Sequence, residues 1–194
     1  VLARAQEADV AHFGEAVGAL QKNRRALQLT MRQLLAVKKA DSRVANQLCS
    51  AAVVALAHDE TAQPLYLELA AQHLEPKQLL TELTRLARSG SLQVEALQRV
   101  HSTLTAQPTE IAEELELALA QSPEPALRWL AVKVLAEVAG PGQGWTAQRR
   151  ERLLTYQQDP APQVASAAQF VFPPLQESTA ESGESIHTLP QQQR

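Results

Sequence analysis

Along residues 122–140 (SPEPALRWLAVKVLAEVAG) the apolar positions are Leu127, Leu130, Ala131, Val134, Leu135 and Val138. Spacings of three and four put all six on one side of a 3.6-residue helix, and leave Arg128, Lys133 and Glu137 off the stripe, facing water. Ser122 is placed to cap this helix, with Pro123 in the first turn, where a missing N–H costs nothing, and Glu124 at the end the helix dipole favours. Gly140-Pro141 ends it. The pattern returns 37 residues later, where Asp159-Pro160 precedes Val164, Ala167, Ala168, Val171 and Phe172. Fainter copies lie at Val94, Leu97, His101 and Leu104, 33 residues before the first stretch, and at Val44, Leu48, Ala51, Ala52 and Ala55, another 50 residues before that. Intervals of 33 and 37 suit a repeated helical hairpin. The interval of 50 leaves room for an extra helix over Asp59 to Leu74.

The same reading predicts about ten helices. The first spans about 8–21, with Val10, Phe13, Val17 and Leu20 on one face, and ends near Lys22-Asn23. The second carries Leu27, Met31, Leu34, Leu35 and Lys38, to about Lys39. Asp41 opens a third, Arg43 to His58, and Asp59 a fourth, in which Pro64 is tolerated only in the first turn or at a kink. Glu75-Pro76 opens the fifth and Ser89-Gly90 stops it. The sixth covers Leu92 to Ala106. Gln107-Pro108 opens the seventh, with Ile111, Leu115, Ala118 and Leu119 inside and its glutamates mostly outside. The eighth is the 122–140 stretch, the ninth is capped by Thr146, and the tenth spans about 161–172. Short connections make successive helices antiparallel neighbours.

Composition sharpens this to an all-α chain. Aromatic residues are 4%, and only Gly14, Gly18 and Gly90 occur in the first 139 residues. Strands would call for β-branched and aromatic residues with frequent turn signals. Residues 1–172 read as a single helical repeat domain. From Pro173 the chain becomes rich in Ser, Glu, Gln and Pro, so 173–194 read as a disordered tail or linker, with Ile186 to Leu189 its one stretch suited to a short binding motif.

The net charge of −3 argues against a protein committed to nucleic acid. Charge is unevenly spread. Lys22, Arg24, Arg25, Arg32, Lys38, Lys39 and Arg43 face a single acid, Asp41, over residues 22–43. Glu110, Glu113, Glu114 and Glu116 cluster on the seventh helix. Either cluster suits a partner surface, and a solvated helix face accounts for each as well. Cys49 is the only cysteine and sits in an apolar helix, which reads as a buried, inert thiol and excludes an intramolecular disulfide. No apolar run approaches the ~20 residues of a membrane span. The cytoplasm is the expected compartment. Export after loss of a leader is the alternative, because Ala3-Arg4-Ala5 resembles a signal-peptidase site.

Asp159-Pro160 with Val164-Ala165, Pro125 with Leu127-Arg128, and Asp41 with the inverted pair Arg43-Val44 together resemble HEAT-type repeats, whose second helix opens with Asp-Pro and a Val-Arg pair. The stretch around Val94 lacks both the Asp and the Arg. The resemblance covers about residues 25–172. It implies a right-handed α-solenoid of antiparallel hairpins, HEAT/armadillo-like. Terminal hairpins would act as caps, and the second helices would line a concave face that holds a protein or peptide.

No stretch carries a catalytic, cofactor-binding or metal-binding signature. His12, His58, His73, His101 and His187 form no HExxH, and no two lie within one helical turn. His58, Asp59 and Glu60 are consecutive, so their side chains diverge. His101 falls on an apolar stripe, as a satisfied core histidine does. The paired glutamates of the seventh helix suit acid–base work in principle, but beside an alanine-rich stripe they read as a solvated acidic face. GxSxG, P-loop and dinucleotide turns are absent; Gly140 to Gly144 follows a helix, not a strand. Trp129 abuts an apolar stripe and reads as core.

The function expected is therefore a non-catalytic scaffold or adaptor. It would bind another protein or peptide, acidic where it meets the basic segment, through Arg24, Arg25, Arg32, Lys38, Lys39 and Trp145. Trp145 enters because an exposed tryptophan is a favoured anchor. The first alternative is a nucleic-acid-binding protein similar to HEAT-like DNA glycosylases, but the basic segment has no aromatic residue to stack on a base. The second is a HEAT-like lyase or assembly factor, similar to bilin lyases. The sequence leaves the oligomeric state open.

Overall fold

Ten α-helices and no strand form among the described residues. The computed structural model describes residues 7–20, 23–38, 43–140 and 144–174, with the backbone alone for 7–11, 14, 24, 35–38 and 43–45. The helices are α1 (Glu7–Leu20), α2 (Arg24–Lys38), α3 (Arg43–Leu56), α4 (Gln63–His73), α5 (Pro76–Arg88), α6 (Val94–Leu104), α7 (Thr109–Ala120), α8 (Pro125–Val138), α9 (Ala147–Gln157) and α10 (Pro162–Gln169). Asp41 and the chain from 175 onward lie outside the described residues.

Several ends form as the residue chemistry predicts. Thr146 Oγ1 accepts from Arg149 N at 3.3 Å at the start of α9. Gln78 Oε1 reaches back to Glu75 N at 3.4 Å at the start of α5. Pro64 lies in the first turn of α4. Asn23 follows α1 and caps α2, its Oδ1 taking Ala26 N at 3.1 Å. Gly90, with φ 69°, closes α5 in a left-handed turn: Ser91 N reaches Leu86 O and Gly90 N reaches Ala87 O.

Two starts share one departure from the expected capping. α8 begins at Pro125, two residues after the proline expected to open it; α10 begins at Pro162, within a residue of its expected start but two residues past Pro160, beside the expected cap Asp159. A proline holds the residue before it out of the α region. Glu124 and Ala161 are accordingly extended, at φ −83°, ψ 116° and φ −86°, ψ 117°. Ser122 and Asp159 close a turn rather than cap the helix: Ser122 Oγ accepts from Glu124 N at 3.2 Å, and Asp159 Oδ1 from Ala161 N at 2.8 Å. Asp59 behaves similarly, capping a 3-10 turn, Glu60–Ala62, ahead of α4. The tenth helix also stops early, at Gln169, where Pro173 has no N–H to give to the carbonyl four residues back and its ring crowds it.

Even-numbered helices follow one another in space: α2 meets α4, α4 meets α6, α6 meets α8 and α8 meets α10. Among the others, α1 packs on α3, α5 on α7 and α8, α7 on α8, and α9 on α10. One apolar core runs from Val17 to Ala168. Alanines at 70, 96, 112 and 131 are buried where helices meet, and Leu83, Leu127 and Leu130 are fully enclosed. Each such leucine contributes about 1.5–3 kcal/mol by leaving water. Cys49 is buried in this core, as its apolar helix predicts.

Candidate functional site

The face built by α2, α4, α6, α8 and α10 holds three adjoining depressions. A small one between α2 and α4 is lined by Gln28, Met31, Arg32, Leu65, Glu68 and Arg99. It shares Glu68 and Arg99 with a second, of about 770 Å³, walled by Gln72, Glu95, Gln98, Ser102 and Gln107. The second shares Gln98 with a third, of about 840 Å³, formed by α6, α8, α10 and the segments around Trp145 and Pro174.

The first two depressions are polar and internally neutralised. Arg99 donates to Glu68 Oε2 at 2.6 Å and Glu95 Oε1 at 3.3 Å. The hydrogen bond to Glu68 raises the guanidinium pKa further, against its partial burial.

The third depression is aromatic. Of the chain's seven Phe, Trp and Tyr residues, four line it: Trp129, Trp145, Phe170 and Phe172. Phe170 is 76% and Phe172 82% exposed. Phe172 was expected on the inner stripe of the tenth helix. Because α10 ends at Gln169, Val171 turns in toward the core and its two neighbours turn out. Lys133 Nζ sits over the Trp129 ring, 5.6 Å from its centroid. Neither indole N–H nor Lys133 Nζ has a hydrogen-bond partner among the described residues. His101, read as a satisfied core histidine, borders this depression with its Nε2 buried and unpartnered. Arg150 fixes the far wall: Nη2 donates to Pro174 O at 2.7 Å and Nε to Trp145 O at 3.4 Å.

The structure separates the expected partner-binding residues. Arg25 and Arg32 are exposed on α2, and Arg32 borders the smallest depression. Arg24 and Lys38 lie on α2 with side chains outside the described set, and Lys39 lies outside it altogether. Trp145 is half-buried against the core and belongs to the aromatic depression, with α4, α6 and α8 between it and the basic segment. Trp129 is also partly buried, at the groove wall.

The acidic helix differs most from its expected solvated face. Glu110 and Glu114 are exposed, but Glu116 is buried, at 1% exposure. Its Oε1 accepts from Tyr156 Oη at 2.5 Å, and Arg152 Nε lies 3.0 Å from Oε2 without the alignment of a hydrogen bond. Glu113 takes Arg149 Nε at 2.8 Å and Arg152 Nη2 at 3.2 Å. Burial pushes the Glu116 carboxyl up, opposed by the Tyr156 hydrogen bond and the Arg152 charge. The Arg149 hydrogen bond holds Glu113 below the ordinary range. Burial and Glu116 together drive the Tyr156 hydroxyl far up. These groups clasp α7 to α9. The signal was present in the spacing: Arg149, Arg152 and Tyr156 share one face of α9, as Glu113 and Glu116 share one face of α7.

Among the described residues, no three His, Cys, Asp or Glu side chains are placed to hold a metal ion, and no helix is long and apolar enough to cross a membrane. Compared with known protein families, curated proteins and solved structures, the chain finds no match. The resemblance to HEAT-type repeats therefore rests on the chain's own residues.

Proposed function

We propose that this protein is a non-catalytic scaffold that binds a segment of another protein along the face of α2, α4, α6, α8 and α10. The observation that carries the reading is the cluster of Phe170, Phe172, Trp129 and Trp145 at one end of that face, two of them more than three-quarters exposed. Aromatic side chains left in water beside a groove are the usual anchors of recognition. The amides and hydroxyls of the middle depression suit the polar backbone of a bound chain. Exposed Arg25 and Arg32 at the other end add attraction for acidic residues beyond the groove.

The same reading takes the helices as a right-handed α-solenoid of HEAT type, with this face concave. Its support is the order of even-helix contacts and the correspondence of Ser122-Pro123-Glu124-Pro125 with Asp159-Pro160-Ala161-Pro162, each opening a helix after an identical turn.

The test compares two variants in affinity purification from the native source. Phe170→Ser/Phe172→Ser should lose the partner with helix content unchanged by circular dichroism. Arg24→Glu/Arg25→Glu/Arg32→Glu should weaken recovery without abolishing it. Equal recovery of the same partners by wild type and the aromatic double variant would falsify the groove reading.

A further inference from the structure

We infer that the aromatic depression takes a proline-rich segment in extended, polyproline II form. The inference rests on the groove reading above and adds the chemistry of the occupant.

Its first support is a mismatch of donors and acceptors. Among the described residues, the two indole N–H groups and Lys133 Nζ are donors without hydrogen-bond acceptors, His101 Nε2 is buried and unpartnered, and Glu137 is the only carboxylate in the lining. A proline-rich chain is the complementary object: every residue offers a carbonyl oxygen, and each proline lacks an N–H. An ordinary extended chain would add N–H donors, for which the described lining offers few side-chain acceptors besides Glu137 and Gln98. An amphipathic helix has its backbone carbonyls already bonded, and would leave the groove donors unpaired at a cost.

Shape points the same way. Flat indole and phenyl faces accept pyrrolidine rings, and polyproline II is formed before binding, so little ordering entropy is lost. The chain also supplies an internal precedent. Pro174 lines the depression, and Arg150 donates to its carbonyl at 2.7 Å. A proline with its carbonyl bonded by a cation thus already forms one edge of the groove.

The experiment titrates blocked decaproline into the full chain and follows emission from Trp129 and Trp145, the only tryptophans. A blocked Gly-Ser decapeptide and an amphipathic Leu/Lys helical peptide serve as controls. The expected result is saturable binding of decaproline at about 10–100 µM, none of the Gly-Ser peptide, and about tenfold weakening in Phe172→Ser and in Lys133→Ala, with circular dichroism unchanged. No saturation by about 1 mM overturns the inference. So does full binding to both variants, which places the peptide elsewhere. Binding of the helical peptide alone overturns it while leaving the groove reading intact. A dimer by light scattering that Phe172→Ser converts to monomer also overturns it, because a second copy is then the occupant.

Discussion

Two junctions between even-numbered helices do the same structural work with different chemistry. Where α8 meets α10, Arg128 holds the turn ahead of α10: Nε and Nη2 donate to the two Asp159 oxygens at 2.7 and 2.9 Å, and Nη1 to the carbonyls of Ser122 and Pro123 at 3.0 and 2.8 Å. Where α4 meets α6, the work is done by amides. Gln63 donates to Ser91 O at 2.8 Å and accepts from Gln93 N at 2.7 Å, while Gln93 returns to Glu60 O at 2.7 Å. Both sets tie the opening of one helix to the opening of the next. The charged junction is stronger per contact and depends on pH, whereas the amide junction is indifferent to it.

The largest effect should come from breaking the charged junction on one side. Arg128 and Asp159 are mostly buried, at 15% and 8% side-chain exposure. Arg128→Ala leaves Asp159 charged and unpaired, and should cost about 3–5 kcal/mol by urea unfolding. Gln63→Ala should cost less, about 1–3 kcal/mol, because the groups it strands are neutral. A larger loss in Gln63→Ala than in Arg128→Ala would invert the ranking of the two junctions.

Acid separates them more sharply. The hydrogen bonds from Arg128 hold Asp159 below the ordinary carboxylate range, against its desolvation. Its contribution is therefore complete above the ordinary Asp pKa and is lost as pH falls through the lowered value. Asp159→Asn should flatten that part of the acid limb of stability against pH, and Gln63→Ala should leave it unchanged. Within the α7–α9 clasp, Glu113 is held low and acts with the same sign as Asp159, whereas Glu116 acts with the opposite sign. Glu116 is raised in the fold, so its contribution is complete below the ordinary Glu value and is lost as pH rises through the raised one. Glu116→Gln should remove that decline, measured as the slope of unfolding free energy on the acid side of neutrality. At the small end, Arg25→Glu on exposed α2 should shift stability by no more than about 0.5 kcal/mol; a larger loss would mean that α2 is held by contacts its exposed position does not suggest.

Periodicity was enough to find the helices, because each buries one stripe and the spacing of Leu127, Leu130, Val134 and Val138 has no other use. It was not enough to find their starts. The second proline of each Pro-x-Pro, at 125 and 162, overrides the capping signal of Ser122 and Asp159. The charged junction was half legible: Asp159 stood out as a turn residue, but Arg128 read as solvated because its partner lies 31 residues away. Gln63 and Gln93 gave no signal, since neutral amides on surface helices are common. At the site, Trp145 was singled out. Phe172 was assigned inward by continuing a stripe past the point where Pro173 forbids a helix. Glu116 was hidden because a buried carboxylate and a solvated one look alike until the facing arginine is known.

Cys49 has a further consequence. It is the only thiol and is sealed within α3, far along the chain from the tryptophans at 129 and 145. A thiol reagent can reach it only when the early helices part, so its labelling rate times their opening under native conditions. Tryptophan emission keeps separate time for the late helices. The chain thus carries two built-in clocks, one near each end. If they disagree, the array opens from one side first.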